Sequence, residues 1–303
     1  MDNILSEISK NILENPLDIQ LLLKRAEYYE NCSMYANAID DYTDAIELEP
    51  QNAELYSKRA GAFMFLNKFD NAILDCTKSI EIEANELNLT FRSITYGYMQ
   101  EYEKAIADCT KVIEMNPNEP AYYYSRGSYY QNLNNHIDAI LDFSKAIQLK
   151  SDEAFYYFFR GNSYEQLNQF ENALKDYQKS IEIMPNNYNY FSKKAYLYLK
   201  MNLFEDALTS CEELIKLAPN LYANYMLKGE VTYYLNMLKD SIDAYSVAIK
   251  LLKQGFKYSN CHVNEKEDLI ACYLNWSKVY ELLGMNKEML EDEKTALELQ
   301  NDN

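Results

Sequence analysis

Residues 120–153 read PAYYYSRGSYYQNLNNHIDAILDFSKAIQLKSDE, and residues 154–187 repeat the pattern as AFYYFFRGNSYEQLNQFENALKDYQKSIEIMPNN. The cycle extends along the chain in both directions, and its twentieth position is nearly always small. That position holds Ala38, Ala72, Ala105, Ala139, Ala173, Ala207, Ser241 and, after an insertion, Met289. A period near 34 residues indicates one supersecondary unit copied about eight times. Such units stack into a solenoid because none of them buries a core alone.

Each cycle carries two apolar stripes. In the fifth cycle the first stripe is Tyr157, Gly161 and Tyr164, and the second is Ala173, Tyr177 and Ser180. Spacings of four and then three residues place each stripe on one face of a helix. Each cycle therefore predicts a helix A, a short turn and a helix B. Proline, which cannot continue a helix, follows helix B at Pro50, Pro117, Pro185 and Pro219.

This pattern resembles the tetratricopeptide repeat family, whose signature combines small and aromatic residues with a closing proline over 34 residues. The cycles begin near Ile19, Ala53, Leu87, Pro120, Ala154, Tyr188, Tyr222 and Ile270. The resemblance implies an all-α, right-handed α-solenoid, a superhelix in which the A helices line a concave groove and the B helices face outward. It also implies a protein that binds other proteins.

The predicted organisation is one continuous array with four parts. Residues 1–18 form an N-terminal capping helix, residues 19–255 form seven repeats, residues 256–269 are an insertion, and residues 270–303 form the eighth repeat and C-terminal cap. Gly255 should end a B helix. Asn264 and Glu267 have the spacing of a capping box, so the eighth A helix should start early and run long.

The third cycle is one residue short. We place the missing residue in its A–B turn, near residues 98–103, which should then be tighter than the others. On this register Gly97 replaces an aromatic residue at the eleventh position, and the core of that repeat should be weaker there.

A net charge of −18 argues against nucleic acid and anionic membranes as partners. No apolar run approaches the roughly 18–20 residues needed to cross a bilayer. The opening MDNILSE lacks the basic and apolar segments of a signal peptide, so we expect a cytoplasmic protein.

The sequence offers no catalytic constellation, so we expect a non-enzymatic protein without cofactors. Cys261, His262 and Cys272 do not have the spacing of a zinc site, and we expect no metal. Glycine-rich phosphate loops and nucleophile elbows do not occur. Three further cysteines fall at the apolar position 24 and should pack as small hydrophobes: Cys76, Cys109 and Cys211.

A second periodic signal is a pair of opposite charges. Position 7 holds Arg25, Arg59, Arg126, Arg160, Lys194 and Lys228, and position 23 holds Asp41, Asp75, Asp108, Asp142 and Asp176. A guanidinium and a carboxylate suit a bidentate contact, either across the hairpin or between neighbouring repeats. The alternative is an arginine ladder that grips an acidic ligand. We favour the structural role because position 7 adjoins the buried position 8.

Groove-facing positions implied by the resemblance divide into a basic row and an aromatic wall. The basic row is Lys24, Lys58 and Arg92. The predicted peptide-binding groove is Phe91, Arg92, Tyr124, Phe155, Phe158, Phe159, Asn162, Lys193, Tyr196, Met226 and Tyr233. Tyrosine, phenylalanine and methionine on a concave wall are typical of a peptide-binding surface, although tyrosine as simple core packing explains part of the pattern equally well.

Two functions follow as hypotheses. The first is a scaffold that holds a peptide or helix of another protein in the groove, with the basic row orienting an acidic part of the ligand. The alternative is a structural subunit that self-associates, as a homodimer or within a larger complex, through the insertion or the terminal helices.

Overall fold

The structure is a computed structural model that describes residues 2–254 and 265–301, and all regular structure in those ranges is helical. The chain divides into two compact units, Met1–Ser151 and Asp152–Asn303. The helices of the first unit are α1 (Asp2–Glu14), α2 (Ile19–Asn31), α3 (Tyr35–Leu48), α4 (Ala53–Phe65), α5 (Phe69–Ile82), α6 (Glu86–Tyr98), α7 (Tyr102–Met115), α8 (Pro120–Asn132) and α9 (His136–Leu149). The helices of the second unit are α10 (Ala154–Gln166), α11 (Phe170–Ile183), α12 (Tyr188–Lys200), α13 (Phe204–Leu217), α14 (Tyr222–Tyr234), α15 (Leu238–Lys253), α16 (Glu265–Leu282) and α17 (Asn286–Asn301).

Helix α1 packs on α2, and the other sixteen described helices form eight A–B hairpins, four in each unit. The prediction of an all-α fold built from repeated hairpins is confirmed. Most A helices begin with a side-chain cap, as where Asp18 accepts the backbone N–H of Gln20 at 3.0 Å. Every A–B turn contains a residue with positive φ, usually Asn, which tolerates that conformation well. These residues are Ser33, Asn67, Gln100, Asn134, Asn168, Asn202, Asn236 and Gly284.

Small residues let the two helices of a hairpin approach closely. A Cβ atom on Gly161 would lie 2.8 Å from the Tyr177 ring, and one on Gly127 would lie 2.9 Å from the Phe143 ring. Both rings are fully buried. In these two hairpins glycine at position 8 therefore makes room for the large ring at position 24.

The predicted register of the third repeat is wrong. Helix α6 begins at Glu86 and the α6–α7 turn has the ordinary three residues, so the missing residue lies in the α5–α6 connection. Position 11 is consequently Tyr96, an aromatic residue as elsewhere, and its ring lies 5.9 Å from the guanidinium of Arg92. Gly97 occupies the next position, where it makes room for Tyr129 of the following hairpin.

The eighth hairpin begins early, as predicted. Helix α16 starts at Glu265 and has 18 residues, against 13 for α14. Helix α15 ends at Lys253. Gly255, Asn264 and most of the predicted insertion lie outside the described residues.

Five arginine–aspartate pairs join helix A to helix B within a hairpin. Each guanidinium contacts both carboxylate oxygens, as in Arg126, whose Nε and Nη2 atoms each lie 2.8 Å from an oxygen of Asp142. The pairs are Arg25–Asp41, Arg59–Asp75, Arg92–Asp108, Arg126–Asp142 and Arg160–Asp176. The aspartates are buried, and the arginines keep a little contact with water. The structural interpretation of the charge pattern is therefore confirmed, and these arginines are not free to bind a ligand.

The same arginines also reach the preceding B helix. Nη1 of Arg59 donates to Thr43 Oγ1 at 3.0 Å, and Nη1 of Arg126 donates to Thr110 Oγ1 at 3.1 Å. In the first hairpin, Arg25 makes the corresponding contact with Ser9 of the capping helix at 3.4 Å. One side chain thus links two consecutive hairpins of the first unit, where position 25 supplies the accepting hydroxyls of Thr43, Thr77 and Thr110.

The final hairpin keeps the aspartate of this ladder without its arginine. Asp292 is buried on α17, and the residue 16 positions earlier, where other hairpins carry arginine, is Trp276. Asp292 Oδ2 and Trp276 Nε1 are both buried without a hydrogen-bond partner. Burial and the neighbouring Glu291 raise the pKa of Asp292 to about 6.

Two glycines on A helices should respond oppositely to alanine. Gly161→Ala should cost about 1–3 kcal/mol, because the buried Tyr177 ring has no room for a methyl group. Gly61→Ala should stabilise the protein by about 0.5–1 kcal/mol, because a Cβ there meets nothing within 4 Å and alanine is the better helix former. Urea denaturation measures both. A loss of stability in Gly61→Ala would contradict the open position of this residue.

Removing one carboxylate of the ladder should lower stability markedly. Asp142→Ala leaves the Arg126 guanidinium without its bidentate partner, and we expect a loss of about 3 kcal/mol, the low end for a broken buried pair because Arg126 still touches water. The matched control is Glu81→Ala, which breaks an exposed pair with Lys78 and should leave the unfolding midpoint unchanged. Equal midpoints for the two variants would exclude a stabilising ladder.

Asp292 should make the last hairpin more stable in acid. Its pKa is raised in the folded state, so the stability contributed by its protonation is lost as pH rises through about 6. Asp292→Asn should therefore unfold at a higher temperature than the wild type at pH 7.5, and this difference should shrink by pH 5. Fluorescence of Trp276, the single tryptophan, reports the same titration locally. A difference between the two proteins that does not change with pH would contradict this assignment.

Candidate peptide-binding groove

The A helices of the first unit surround two adjoining cavities. One has a volume of about 470 Å³ and is lined by α2, α4 and α6, with Tyr35 at the start of α3. The other has a volume of about 370 Å³ and lies on α4, α6 and the start of α5. Gly61, Phe65 and Phe91 line both cavities. We call the two cavities together the Phe65 groove.

Large apolar side chains face the open side of the Phe65 groove. Phe65 is 68% exposed, Tyr98 is 65% exposed and Leu87 is 58% exposed. The two rings are nevertheless held in place by stacking, Phe65 on Tyr35 with ring centroids 4.5 Å apart and Tyr98 on Phe69 at 5.6 Å. A contiguous exposed apolar surface of this kind is typical of a binding site, and rigid rings lose little entropy when a ligand covers them.

Gly61 forms the floor of the groove. It lies in the interior of α4, where glycine costs about 0.5–1 kcal/mol relative to alanine. Unlike Gly127 and Gly161, it faces open space, so packing does not require it. Its missing side chain leaves the volume between Phe65 and Phe91 unfilled.

The structure does not bring the predicted basic row together. Arg92 lies at position 7 rather than position 6, because the third repeat begins one residue earlier than predicted, and Arg92 is paired with Asp108. Nζ of Lys58 lies between two carboxylates, 3.5 Å from Glu27 and 3.6 Å from Glu54. Lys24 is exposed on α2.

Carboxylates outnumber cations at the rim of the groove. Glu30 and Glu54 line the larger cavity together with Lys58. Glu30 is only partly accessible, and its withdrawal from water raises its pKa, an effect that the Tyr42 hydroxyl and the charge of Lys58 oppose. The polar edge of this apolar site is thus net acidic.

The two remaining predicted residues of the first unit have different environments. Phe91 lines both cavities. Tyr124 packs on Phe143 within its own hairpin, with ring centroids 6.0 Å apart, and burial raises its pKa.

In the second unit, several predicted groove residues serve as packing. The Phe158 ring contacts Tyr177 and Tyr190, with centroid distances of 5.8 and 4.9 Å, and packs half-buried against the core. Phe159 meets Phe158 edge-on at 5.6 Å, and Phe155 meets Tyr156 edge-on at 4.5 Å. Asn162 accepts a 2.8 Å hydrogen bond from the hydroxyl of Tyr177.

Tyr196 and Met226 line a separate cavity of about 280 Å³ in the second unit, which we call the Tyr196 pocket. Tyr196 is 47% exposed, and burial of its hydroxyl raises its pKa to about 12. Two carboxylates also line this pocket: Glu230, whose pKa burial raises, and Asp268, which accepts a 2.8 Å hydrogen bond from Tyr222.

The last two predicted residues lie elsewhere in the second unit. Tyr233 meets Tyr234 edge-on, with ring centroids 5.6 Å apart, and packs partly buried against the core around Tyr245. Lys193 is exposed on α12.

Sequence reasoning missed Gly61, Phe65 and Leu87. Their positions in helix A could have identified them, because positions 9 and 13 face the groove in this repeat and Gly61 and Phe65 occupy those positions of α4. Leu87 occupies position 2 of α6 once the register is corrected.

Among residues 2–254 and 265–301, no group of histidine, cysteine and acidic side chains is arranged to hold a metal ion. Cys272 is buried in the core, while Cys261 and His262 lie outside the described residues. In the same ranges, no helix combines the length and the apolar character needed to span a bilayer.

Several solved structures are similar to this chain. The C-terminal part of a TPR repeat-containing protein from Cytophaga hutchinsonii has 19% identity and a TM-score of 0.68, over 78% of this chain and 100% of that one. A tetratricopeptide repeat protein from Parabacteroides merdae has 19% identity and a TM-score of 0.61, over 84% and 98%. YrrB, described as a TPR protein with an unusual peptide-binding site, has 19% identity and a TM-score of 0.54, over 62% and 97%. These similarities show the fold alone.

No curated protein sequence matches the chain significantly. Models of the tetratricopeptide repeat match residues 154–187 and four further segments: residues 19–52, 89–119, 120–153 and 188–221. The matched segments are A–B hairpins of the structure and together cover more than half of the sequence. The chain therefore belongs to the tetratricopeptide repeat family.

Proposed function

We propose that this protein is a non-catalytic scaffold that binds a segment of another protein in the Phe65 groove. Tetratricopeptide repeats typically mediate protein–protein interactions, and the chain belongs to that family. The observation that carries the proposal is the combination of an unfilled floor at Gly61 with exposed, stacked rings at Phe65 and Tyr98.

The shape of the groove favours a polypeptide ligand. Its two cavities adjoin across α4 and α6 and are open to solvent along their length, which suits an extended segment or one face of a helix. The similar fold of YrrB, whose description names a peptide-binding site, supports this class of ligand. The Tyr196 pocket is a second candidate contact in the other unit.

Self-association remains the alternative, and the last helix favours it. In the internal hairpins the isoleucine at position 28 is buried or half-buried, whereas the equivalent residue of α17, Leu297, is 56% exposed. Leu290 lies seven residues earlier on the same face and is 59% exposed. The insertion itself lies mostly outside the described residues. A cytoplasmic location stays a prediction.

Filling the floor of the groove should abolish peptide binding. Gly61→Leu places a side chain in open space between Phe65 and Phe91, so the helix should remain intact while the cavity closes. The matched control is Ala107→Leu, which adds the same group to an exposed position of α7. Peptides selected from a random displayed library on the wild type should bind the control equally and Gly61→Leu at least tenfold more weakly.

Circular dichroism of both variants verifies that they are folded. Light scattering at the same concentrations separates peptide capture from self-association. Unchanged affinity in a folded Gly61→Leu protein would remove the groove as the binding site. A replacement of Phe158 is unsuitable for this experiment because its half-buried ring packs against two core clusters, so its loss would also lower stability.

A further inference from the structure

We propose that the Phe65 groove selects a basic ligand, a polypeptide segment that carries an apolar anchor next to an arginine or lysine. This inference rests on the proposed function and specifies the chemistry of the partner. The proposed ligand charge is opposite to the sequence-based prediction, in which the basic row orients an acidic ligand.

The anchor belongs over Gly61. The larger cavity has about 470 Å³ bounded by Gly61, Phe65, Leu87 and Phe91, with apolar surface on both sides. That volume lies within the range of pockets that bind small ligands and accommodates one large apolar side chain of a partner. Burying such a group against the rings supplies affinity without a charge.

The cation belongs at the rim, beside Glu30. Glu30, Glu54, Phe65 and Phe91 line the same cavity, so an anchor over Gly61 brings its neighbouring residue to these carboxylates. Glu30 is partly withdrawn from water, which raises its pKa, and a partly desolvated carboxylate gains more from a cation than a fully hydrated one. Aromatic rings at the same rim, including Tyr35, add attraction for a guanidinium.

The three cations of α4 and α6 do not favour an acidic ligand. Arg59 and Arg92 are each occupied by a buried aspartate, and Lys58 is held between Glu27 and Glu54. An incoming carboxylate would compete with those two glutamates for Lys58 and would be repelled by Glu30. The net charge of −18 adds long-range attraction for a basic segment.

The Tyr196 pocket independently has the same composition. Tyr196, Tyr222 and Met226 provide apolar walls, and Glu230 and Asp268 provide carboxylates. Burial raises the pKa of Glu230, and the charge of Lys278 opposes this effect. Acidic rims on apolar cavities therefore occur in both units of this chain.

The test uses four synthetic peptides built on one neutral sequence, with tryptophan or alanine at the anchor and two arginines or two glutamates beside it. Binding to the full-length protein is measured by fluorescence anisotropy at low and high salt. We expect the tryptophan–arginine peptide to bind tightest, the tryptophan–glutamate peptide at least tenfold more weakly, and salt to reduce the difference. Both should lose affinity in Gly61→Leu.

Charge variants locate the effect. Glu30→Gln and Glu54→Gln should each weaken the arginine peptide several-fold and leave the glutamate peptide unchanged or slightly tighter. Glu47→Gln and Glu114→Gln, which remove exposed carboxylates from the B helices α3 and α7, are the matched controls and should change neither peptide.

The outcomes separate the inference from the function on which it rests. If the library yields peptides that require an open Gly61 floor but are acidic, or are insensitive to Glu30→Gln and Glu54→Gln, the scaffold stands and the basic ligand is overturned. If neither the library nor the four peptides bind the wild type, both proposals fall.

Discussion

The arginine of helix A makes the contacts on which the first five hairpins of the structure depend. It forms a bidentate pair with the aspartate of its own B helix and, in the first four hairpins, also reaches a hydroxyl of the preceding one. A stacked array needs contacts that tie one hairpin to the next, because a single hairpin has too small a core. Because the arginine charge is neutralised by a buried aspartate, the charge of the groove is determined by its other polar residues.

The fold could be predicted almost completely because repetition corrects local error. A small residue at position 20 is weak evidence once and strong evidence when it recurs seven times in phase. The third repeat shows the limit of this reasoning. Ala105 fixes the register of α7 but not that of α6, so the missing residue was assigned to the wrong turn. The arginine and aspartate of every pair are 16 residues apart, and Arg92 and Asp108 have the same spacing. This spacing indicates the correct register of α6, because a salt bridge constrains both helices at once.

The site could be predicted only in part, because a cavity forms where neighbouring side chains leave space unfilled, and the sequence does not show that space. Phe158 and Phe65 look alike in sequence, as both are aromatic residues on an A helix. Phe158 is half-buried because Tyr177 and Tyr190 pack against its ring. Phe65 stays exposed because the neighbouring residue on its face is Gly61, whose missing side chain nothing replaces. The extent to which an aromatic residue is buried depends on the sizes of the side chains that surround it in the fold. The sequence pattern does not show which side chains those are.

Charge at the groove illustrates the same dependence on pairing. Counting residues on the A helices suggests a basic face, with Lys24, Lys58 and Arg92 in line. In the structure, however, Arg92 is paired with the buried Asp108. Lys58 lies between Glu27 and Glu54, which largely cancel its positive charge. Glu30 has no such compensation from two opposite charges, so the potential felt by a ligand follows the carboxylates. An acidic segment would compete with Glu27 and Glu54 for Lys58 and would be repelled by Glu30, whereas a basic segment is attracted to Glu30 and Glu54, and this asymmetry gives the groove its preference.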